Sequence, residues 1–252
     1  MAPWPLEMPD VEFDPSILSA VTCLVRRARN EPNMELETRL GVMRDGRFDA
    51  RIPRAHMEEL LPALQQFARR EPARLAERDG EWREEDSYYF RVGERQLRTR
   101  VAPSDGSDAQ TIEKRLVEVL VLRTLTFDVK VCLSEEVPVR NADLPSVAPT
   151  QLVRAKQVRR FRCPKPSLDI TCAAVWAGAT QTEVERLQRE GEPFFELECE
   201  LDVAGLAGAE RDEYLAESLL LKTANLMMTP GQRYELVPKA SNSASRKRGR
   251  AT

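Results

Sequence analysis

The chain lacks most of what thiolate-metal, disulfide-bonded or membrane proteins are built from. It has a single histidine, His56, so no imidazole cluster can select a borderline metal. Its five cysteines, Cys23, Cys132, Cys163, Cys172 and Cys199, are odd in number and never spaced C-x-x-C. That argues against a disulfide framework and a zinc site, and for a reducing compartment. No apolar run approaches the ~20 residues of a membrane helix, so no membrane association is expected. The opening MAPWPLEMPD has neither a basic n-region nor an apolar h-region, and a soluble, intracellular protein is expected. There is no internal repeat. A net charge of −3 gives no bulk basic character, so any anion-binding site has to be local.

What is present is charge in quantity. Charged residues make up 31% of 252 positions, beside 42% hydrophobic, enough for a sizeable core in one large domain or two small ones. DPSILSAVTCLVRRARN reads as a helix, with Asp14 as N-cap, Pro15 at the first position, and Ile17, Leu18, Val21, Leu24 and Val25 on one face. RAHMEELLPALQQFARRE reads as a second, which places His56 on a helix surface. A third, short helix starts at Thr180 or Thr182, each with a Glu three residues on, and a fourth spans roughly 210–228. Leu226, Met227 and Met228 at its end read as core packing or a frayed terminus. The rest is strand-like: 33–41, 46–52, 73–78, 86–92, 95–102, 111–122, 126–137, 151–162, 167–176 and 194–203, parted by clusters such as PSDGSD. Many strands and few helices predict a closed or sandwiched sheet with helices packed outside. Residues 1–14 are Pro-rich and read as flexible. The main domain is 15–237. Residues 238–252, with five basic residues and no acidic one, read as a disordered tail.

The strands alternate. FELECELD (195–202) sets Phe195, Leu197, Cys199 and Leu201 against Glu196, Glu198, Glu200 and Asp202. NMELETRLG sets Glu35, Glu37 and Arg39 against Met34, Leu36 and Leu40. RQLRTRV carries Arg98 and Arg100 opposite Leu97 and Val101. FDVKVCLSEEV carries Asp128, Lys130, Ser134 and Glu136 opposite Val129, Val131 and Leu133. LVRAKQVRRFR holds Arg154, Lys156, Arg160 and Arg162 in one register, and SLDIT holds Asp169 and Thr171. In TIEKRLVEVLVLR the phase is ambiguous after Lys114 and Arg115. A single strand of this kind is ordinary, since antiparallel sheets often have one wet face. The set is less ordinary, because Glu-x-Glu ladders on two strands accompany Arg/Lys ladders on others. If the sheet closes with that face inward, a charged lumen must neutralise itself or hold something charged. Oxygen ligands on rigid strands suit Mg²⁺ or Mn²⁺. Guanidinium forks suit phosphate oxygens. Together they imply metal-assisted phosphoryl transfer. Glu196, at a strand end, reads equally as a solvated charge or a site residue, and Arg159, out of phase with Lys156, is expected to be exposed.

These motifs, in this order, resemble the triphosphate tunnel metalloenzymes, specifically the fungal and protozoan metal-dependent RNA 5′-triphosphatases of mRNA capping. The family's first metal strand has Glu-x-Glu, a basic residue and Phe/Leu-Gly, here ELETRLG (35–41). Its last has Glu-x-Glu-x-Glu, here Glu196, Glu198 and Glu200. Between them come I-E-K-R, here TIEKR (111–115), and D-x-K with a Glu before Val-Pro-Val, here DVKVCLSEEVPV (128–139). The family's Arg-x-Lys-x-Arg is here Arg154, Lys156 and Val158, so the third cation falls to Arg159, Arg160 or Arg162. Its Arg-x-Asp-x-Thr is here Ser167, Asp169 and Thr171. The resemblance spans roughly 33–203.

It implies a mainly β fold, an eight-stranded antiparallel β-barrel tunnel with helices outside, over a catalytic domain at 15–237. It implies that Glu35, Glu37 and a late glutamate, best Glu200, hold Mg²⁺ or Mn²⁺. Glu198 and Glu196 then act through water or hold basic neighbours, with Arg39 in support. Glu136 orients the attacking water. Arg98 or Arg100, Lys114, Lys130, Arg154, Lys156, Arg160, Asp169 and Thr171 line the phosphate side. The implied substrate is the 5′-triphosphate end of RNA, left as a diphosphate for guanylylation. No K-x-D-G nucleophile motif is present, so a separate guanylyltransferase is expected, and a monomer. Two alternatives stay open: a tunnel hydrolase of tripolyphosphate, thiamine triphosphate or NTP, and a non-catalytic module that binds triphosphate ends. The SRKRGR tail reads as a nuclear address, an RNA-steering arm or a plain solubilising segment. Capping favours the nucleus over the cytoplasm.

Overall fold

Strands that are oily on one face and charged on the other need two different environments, and a barrel wrapped in helices supplies both. The computed structural model describes residues 13–78, 82–92, 95–101, 110–124, 126–139, 150–203, 206 and 210–228. The basic tail expected at 238–252 and most of the expected flexible N-terminus lie outside the described residues. The strands are β1 (Met34–Arg44), β2 (Arg47–Asp49), β3 (Ala76–Glu77), β4 (Arg83–Val92), β5 (Arg95–Val101), β6 (Gln110–Leu122), β7 (Asp128–Pro138), β8 (Thr150–Cys163), β9 (Leu168–Gly178) and β10 (Phe194–Leu201). The helices are α1 (Pro15–Asn30), α2 (Arg54–Arg70), α3 (Gln181–Glu190) and α4 (Asp212–Leu226). Eight strands pair antiparallel in the order β1-β7-β6-β5-β4-β8-β9-β10, and β10 returns to β1. The sheet is therefore a closed barrel with no free edge among these eight. The short β3 adds to β8, and β2 adds to the far end of β1.

The oily faces point outward. Leu36 and Leu40 of β1, Val129, Val131 and Leu133 of β7, Leu168 and Ile170 of β9, and Leu197, Cys199 and Leu201 of β10 join one core. Val21, Leu24 and Val25 of α1, Met57, Leu60 and Leu64 of α2, and Leu215, Leu219 and Leu220 of α4 complete it. A smaller cluster seats Val184 of α3 on Val153 and Ala155 of β8. One buried polar pair crosses the main interface: the hydroxyls of Thr38 and Thr223 lie 2.7 Å apart.

Local signals set the helix starts. Asp14 caps α1 by accepting from the Ser16 backbone N–H at 2.8 Å. Of the two candidate caps of α3, Thr180 is the one used. It accepts from the Glu183 N–H at 3.2 Å, while Glu183 reaches back to the Ala179 N–H at 2.8 Å. His56 departs from expectation. It is buried, because the end of α4 packs over it. Its Nε2 donates to the Leu226 carbonyl oxygen at 2.8 Å, and its ring meets Phe127 edge-on. Burial lowers its pKa, which keeps the ring neutral. Leu226 and Met227 are core, not frayed end.

The β1–β2 hairpin turns through Asp45 and Gly46, both at positive φ (48° and 76°), as a two-residue turn requires. It folds back across the inward face of β1. A Cβ on Gly41 would stand 2.2 Å from the Asp49 carbonyl oxygen and 2.8 Å from the Phe48 ring. A backbone oxygen in a paired strand cannot rotate away. Gly41→Ala is therefore expected to destabilise the fold by about 1–3 kcal/mol, the usual range for overpacking. Urea denaturation should give a lower midpoint with an unchanged slope.

Candidate active site

With apolar side chains outside, the alternation turns the charged side chains of the barrel strands inward. Register then stacks them in levels. Glu37 of β1 is opposite Glu200 of β10, which is opposite Asp169 of β9 and then Arg162 of β8. One level on, Lys130, Arg39, Glu198, Thr171 and Arg160 stand side by side. Tyr89 and Arg98 are opposite one another on β4 and β5, as are Lys114 and Glu136 on β6 and β7. Ion pairs that skip a strand fit side chains meeting across an enclosed space. Lys114 reaches Glu35 over β7, Arg98 reaches Glu136 over β6, and Arg154 reaches Glu196 over β9.

One side of the lumen is acidic. Lys114 Nζ touches Glu35 and lies 3.1 Å from Glu136 and 3.6 Å from Glu37. Arg39 donates to both oxygens of Glu37, each at 3.0 Å, and stands 3.4 Å from Glu198. Two carboxylates remain poorly compensated. Burial and then repulsion by Glu37 push Glu35 up to about 8, against the pull of Lys114. Glu200 is exposed to solvent, yet enough protein surrounds it that burial, then Glu37 and Glu198, push it up to about 7. Glu198 goes the other way. Burial opposes its charge, but Arg39, Lys156, Lys114 and Arg154 together hold it well below the usual carboxylate range. Glu136 is likewise lowered, since Arg98 and Lys114 outweigh its burial. For Lys114, burial is outweighed by Glu37, Glu35 and Glu136, and its pKa is raised.

The opposite side is basic. Arg98 donates to Glu136 at 2.9 Å, and Arg154 pairs with Glu196, which also stands 3.6 Å from Lys156. Farther along, Arg160 donates to Glu85 at 2.8 Å, and Arg162 binds Asp169 at 2.7 Å with Ser167 and Asp202. Several polar atoms are left over inside. Glu196 Oε2, Glu198 Oε1, Asp169 Oδ1 and Arg98 Nε are buried without a hydrogen-bond partner. Lys130 stands apart from the ion pairs described, 5.8 Å over the Phe48 ring at the hairpin end.

The structure brings Glu35, Glu37, Arg39, Lys114, Glu136, Arg98, Arg154, Lys156, Glu196, Glu198 and Glu200 to the same face of the barrel, where their charges act on one another. Asp169, Thr171 and Arg160 line adjoining levels. The Arg100 side chain lies outside the described residues, although its backbone pairs with Ser87 and Gln110. Glu196 is not a solvated strand end but a buried lumen residue. Arg159 does face outward, yet it is covered rather than exposed: β3 brings Glu77 to 3.0 Å, and its guanidinium lies 5.3 Å over Trp82. Val158 keeps the inward phase and packs with Ala173, Val175 and Phe194 into an apolar stretch of wall. Sequence reasoning missed Glu85 and Tyr89. Their strand, REEDSYYF, is polar or aromatic on both faces, so no oily face marked which side was in. The ambiguous strand β6 slips register between Leu116 and Glu118, and Leu116, Val117 and Val119 end exposed.

Among the described residues, no three potential ligands already surround one point as a metal site. The ammonium of Lys114 stands between Glu35, Glu37 and Glu136 instead. The donor set still fits a hard divalent cation: carboxylates on rigid strands, two crowded into holding protons, and a buried Glu198 oxygen without a donor. A consequence for stability follows. Glu35 and Glu200 titrate near 8 and 7 in the folded chain, against 4.5 unperturbed. The folded state thus holds protons that the unfolded chain has released. Their contribution is full below pH 4.5 and is lost as pH rises through 7 and 8. With chelator present, the thermal midpoint should fall between roughly pH 4.5 and 8. Glu200→Gln should flatten that fall, and Mn²⁺ should oppose it most at the alkaline end, where the ligands are free of protons.

Neither a protein-family model nor a curated protein matches the chain. Solved structures do. The S. pombe Pct1 RNA triphosphatase superposes with a TM-score of 0.66 at 16% identity, over 86% of this chain and 94% of that one. The Mimivirus capping enzyme triphosphatase superposes with a TM-score of 0.58 at 12% identity, over 86% and 99%. Both likenesses run through nearly the whole of the other chain, and what they establish is architecture: this protein has the triphosphate tunnel fold of the RNA triphosphatases.

Proposed function

We propose that the chain is a divalent-cation-dependent polynucleotide 5′-phosphatase, removing the γ-phosphate from 5′-triphosphate RNA as the first step of mRNA capping. The observation that carries this reading is the split lumen. Carboxylates of β1, β7 and β10 face cations of β5 and β8 across an enclosed space, with Lys114 between them. Arg98, Arg154 and Lys156 offer charge-assisted donors to phosphoryl oxygens, and the unpartnered Arg98 Nε is one donor ready for an anion. Glu136, held ionised by Arg98 and Lys114, accepts a proton from a water and aims it at the γ-phosphorus. The new P–O bond forms as the bond from the γ-phosphorus to the β–γ bridging oxygen breaks. Inorganic phosphate leaves, and a diphosphate end remains. Arg154 and Lys156 offset the charge that collects on the departing oxygens.

Glu35, Glu37 and Glu200 would hold the divalent cation, with Glu198 and Glu196 keeping the neighbouring basic side chains in place. When bound, Mg²⁺ or Mn²⁺ supplies Lewis-acid polarisation of the phosphoryl group. The diphosphate end would pass to a guanylyltransferase on another polypeptide, and a nuclear site of action follows from the same proposal.

The test is phosphate release from γ-labelled triphosphate-ended RNA, with Mg²⁺ or Mn²⁺ and with chelator. Tripolyphosphate and free NTP run alongside. Wild type should release phosphate from RNA only with the cation and leave a diphosphate end. Glu37→Ala should lose roughly a hundredfold or more in rate, since a rigid carboxylate and the charge it holds both go. Turnover of tripolyphosphate or NTP without RNA would shift the substrate to the small compounds. No turnover of any of them would leave a binding module and sink the enzymatic reading.

A further inference from the structure

Tyr89 has no part in the reaction as derived, and its surroundings give it one. It sits at an irregularity: β4 pairs Tyr89 with Leu152 of β8 and the next residue, Phe90, with Thr150, so the register slips between them. Such a bulge re-aims a side chain. Tyr89 shares the phase of Glu85 and Ser87 and lies opposite Arg98 of β5. The charged groups that act most strongly on its phenol are cations: Lys156, Arg154 and Arg98. Both arginines lie close enough to it to act on its phenol. Each arginine is anchored from another side by a carboxylate, Arg98 by Glu136 and Arg154 by Glu196. The phenol is therefore a neutral polar group beside two anchored guanidiniums on different strands.

The donor count decides the rest. A phenol has one proton and two acceptor sites, whereas a guanidinium only donates. Neither arginine can therefore accept the Tyr89 proton, which is left for another acceptor. Burial would raise the pKa of the phenol, but Lys156, Arg154 and Arg98 outweigh burial and lower it, which makes the O–H a stronger donor. An ammonium or guanidinium at this point would repel both arginines. A phenylalanine would leave them facing an apolar ring.

We propose that Tyr89 is a phosphate-binding residue, donating its O–H to a non-bridging oxygen of the triphosphate from its place on the basic wall beside Arg98, Arg154 and Lys156. This rests on the reading of the lumen as a triphosphate site and adds a neutral donor to its cationic ones.

The experiment compares wild type, Tyr89→Phe and Tyr88→Phe. The neighbouring Tyr88 hydroxyl donates to Gln181 at the outer helix α3, so Tyr88→Phe is the control. Calorimetry with inorganic tripolyphosphate reads binding, and KM and kcat are measured on triphosphate-ended RNA. Tyr89→Phe should keep the wild-type melting profile, bind tripolyphosphate roughly tenfold more weakly and raise KM to match, as expected for a lost charge-assisted bond. The control should match wild type. Wild-type-like affinity and KM in Tyr89→Phe would overturn the role of Tyr89 while leaving the enzyme intact. Failure of wild type itself to bind tripolyphosphate or cleave RNA would overturn the lumen reading and this inference together. Should Tyr89→Phe not fold, nitration of the wild-type protein decides: tripolyphosphate should protect Tyr89 from modification, and absence of protection would count against its contact with phosphate.

Discussion

The seam between the first and last barrel strands imposes the constraint on which the interior depends. Closing β10 onto β1 sets Glu37 directly opposite Glu200. Like charges facing one another across an antiparallel pair are destabilising. The barrel closes only because cations reach the seam. Arg39 clasps Glu37 from its own strand, and Lys114 arrives across β7 to stand among Glu35, Glu37 and Glu136. Even so, the compensation is incomplete, and Glu35 and Glu200 retain protons that ordinary carboxylates give up. The unmet negative charge is a property of the closed topology, and no strand carries it alone.

The basic wall has the opposite arrangement. Its arginines are not loose: Arg98 and Arg154 are each held by a carboxylate from a strand two places away, and Arg160 by Glu85 of the neighbouring strand. Such anchors keep a dense array of like charges folded when no ligand is bound. They also make binding an exchange. On the proposed reading, a triphosphate shares the Arg98 donors that Glu136 holds in its absence. Glu136 is then free to serve a water, while Glu196 continues to position Arg154 and Lys156.

An interior of this kind requires that stability come from elsewhere. The ordinary core lies outside the barrel, between its oily face and α1, α2 and α4. His56, kept neutral against Phe127 and the Leu226 carbonyl, and the paired hydroxyls of Thr38 and Thr223 are two polar details of that layer. Both are satisfied, as buried polar groups outside a site normally are. Unsatisfied buried atoms occur outside the lumen too, on Arg159, Glu210 and Asn225, but those inside, on Glu196, Glu198, Asp169 and Arg98, stand together among opposite charges.

The amino-acid sequence by itself determined the elements and the sign of charge on most strands, because a period of two along a strand is set by the chain's own geometry. FELECELD and NMELETRLG could be read as acidic, and LVRAKQVRRFR as basic, from single segments. Asp14 and Thr180 could be read as caps for the same local reason. Alternation alone does not say which face is inside, nor who stands opposite whom. Those follow from register and closure, which join residues far apart in the chain. Only the tertiary structure decided that Glu37 meets Glu200, that Lys114 crosses to β1, and that β3 and Trp82 cover Arg159. The same holds for the bulge beside Tyr89 and the slip after Leu116, where one extra residue changes what a side chain faces. The sequence placed His56 on a helix surface, and only the end of α4 packing over it buried it. Local geometry wrote the charges into the strands, and barrel closure made a site of them.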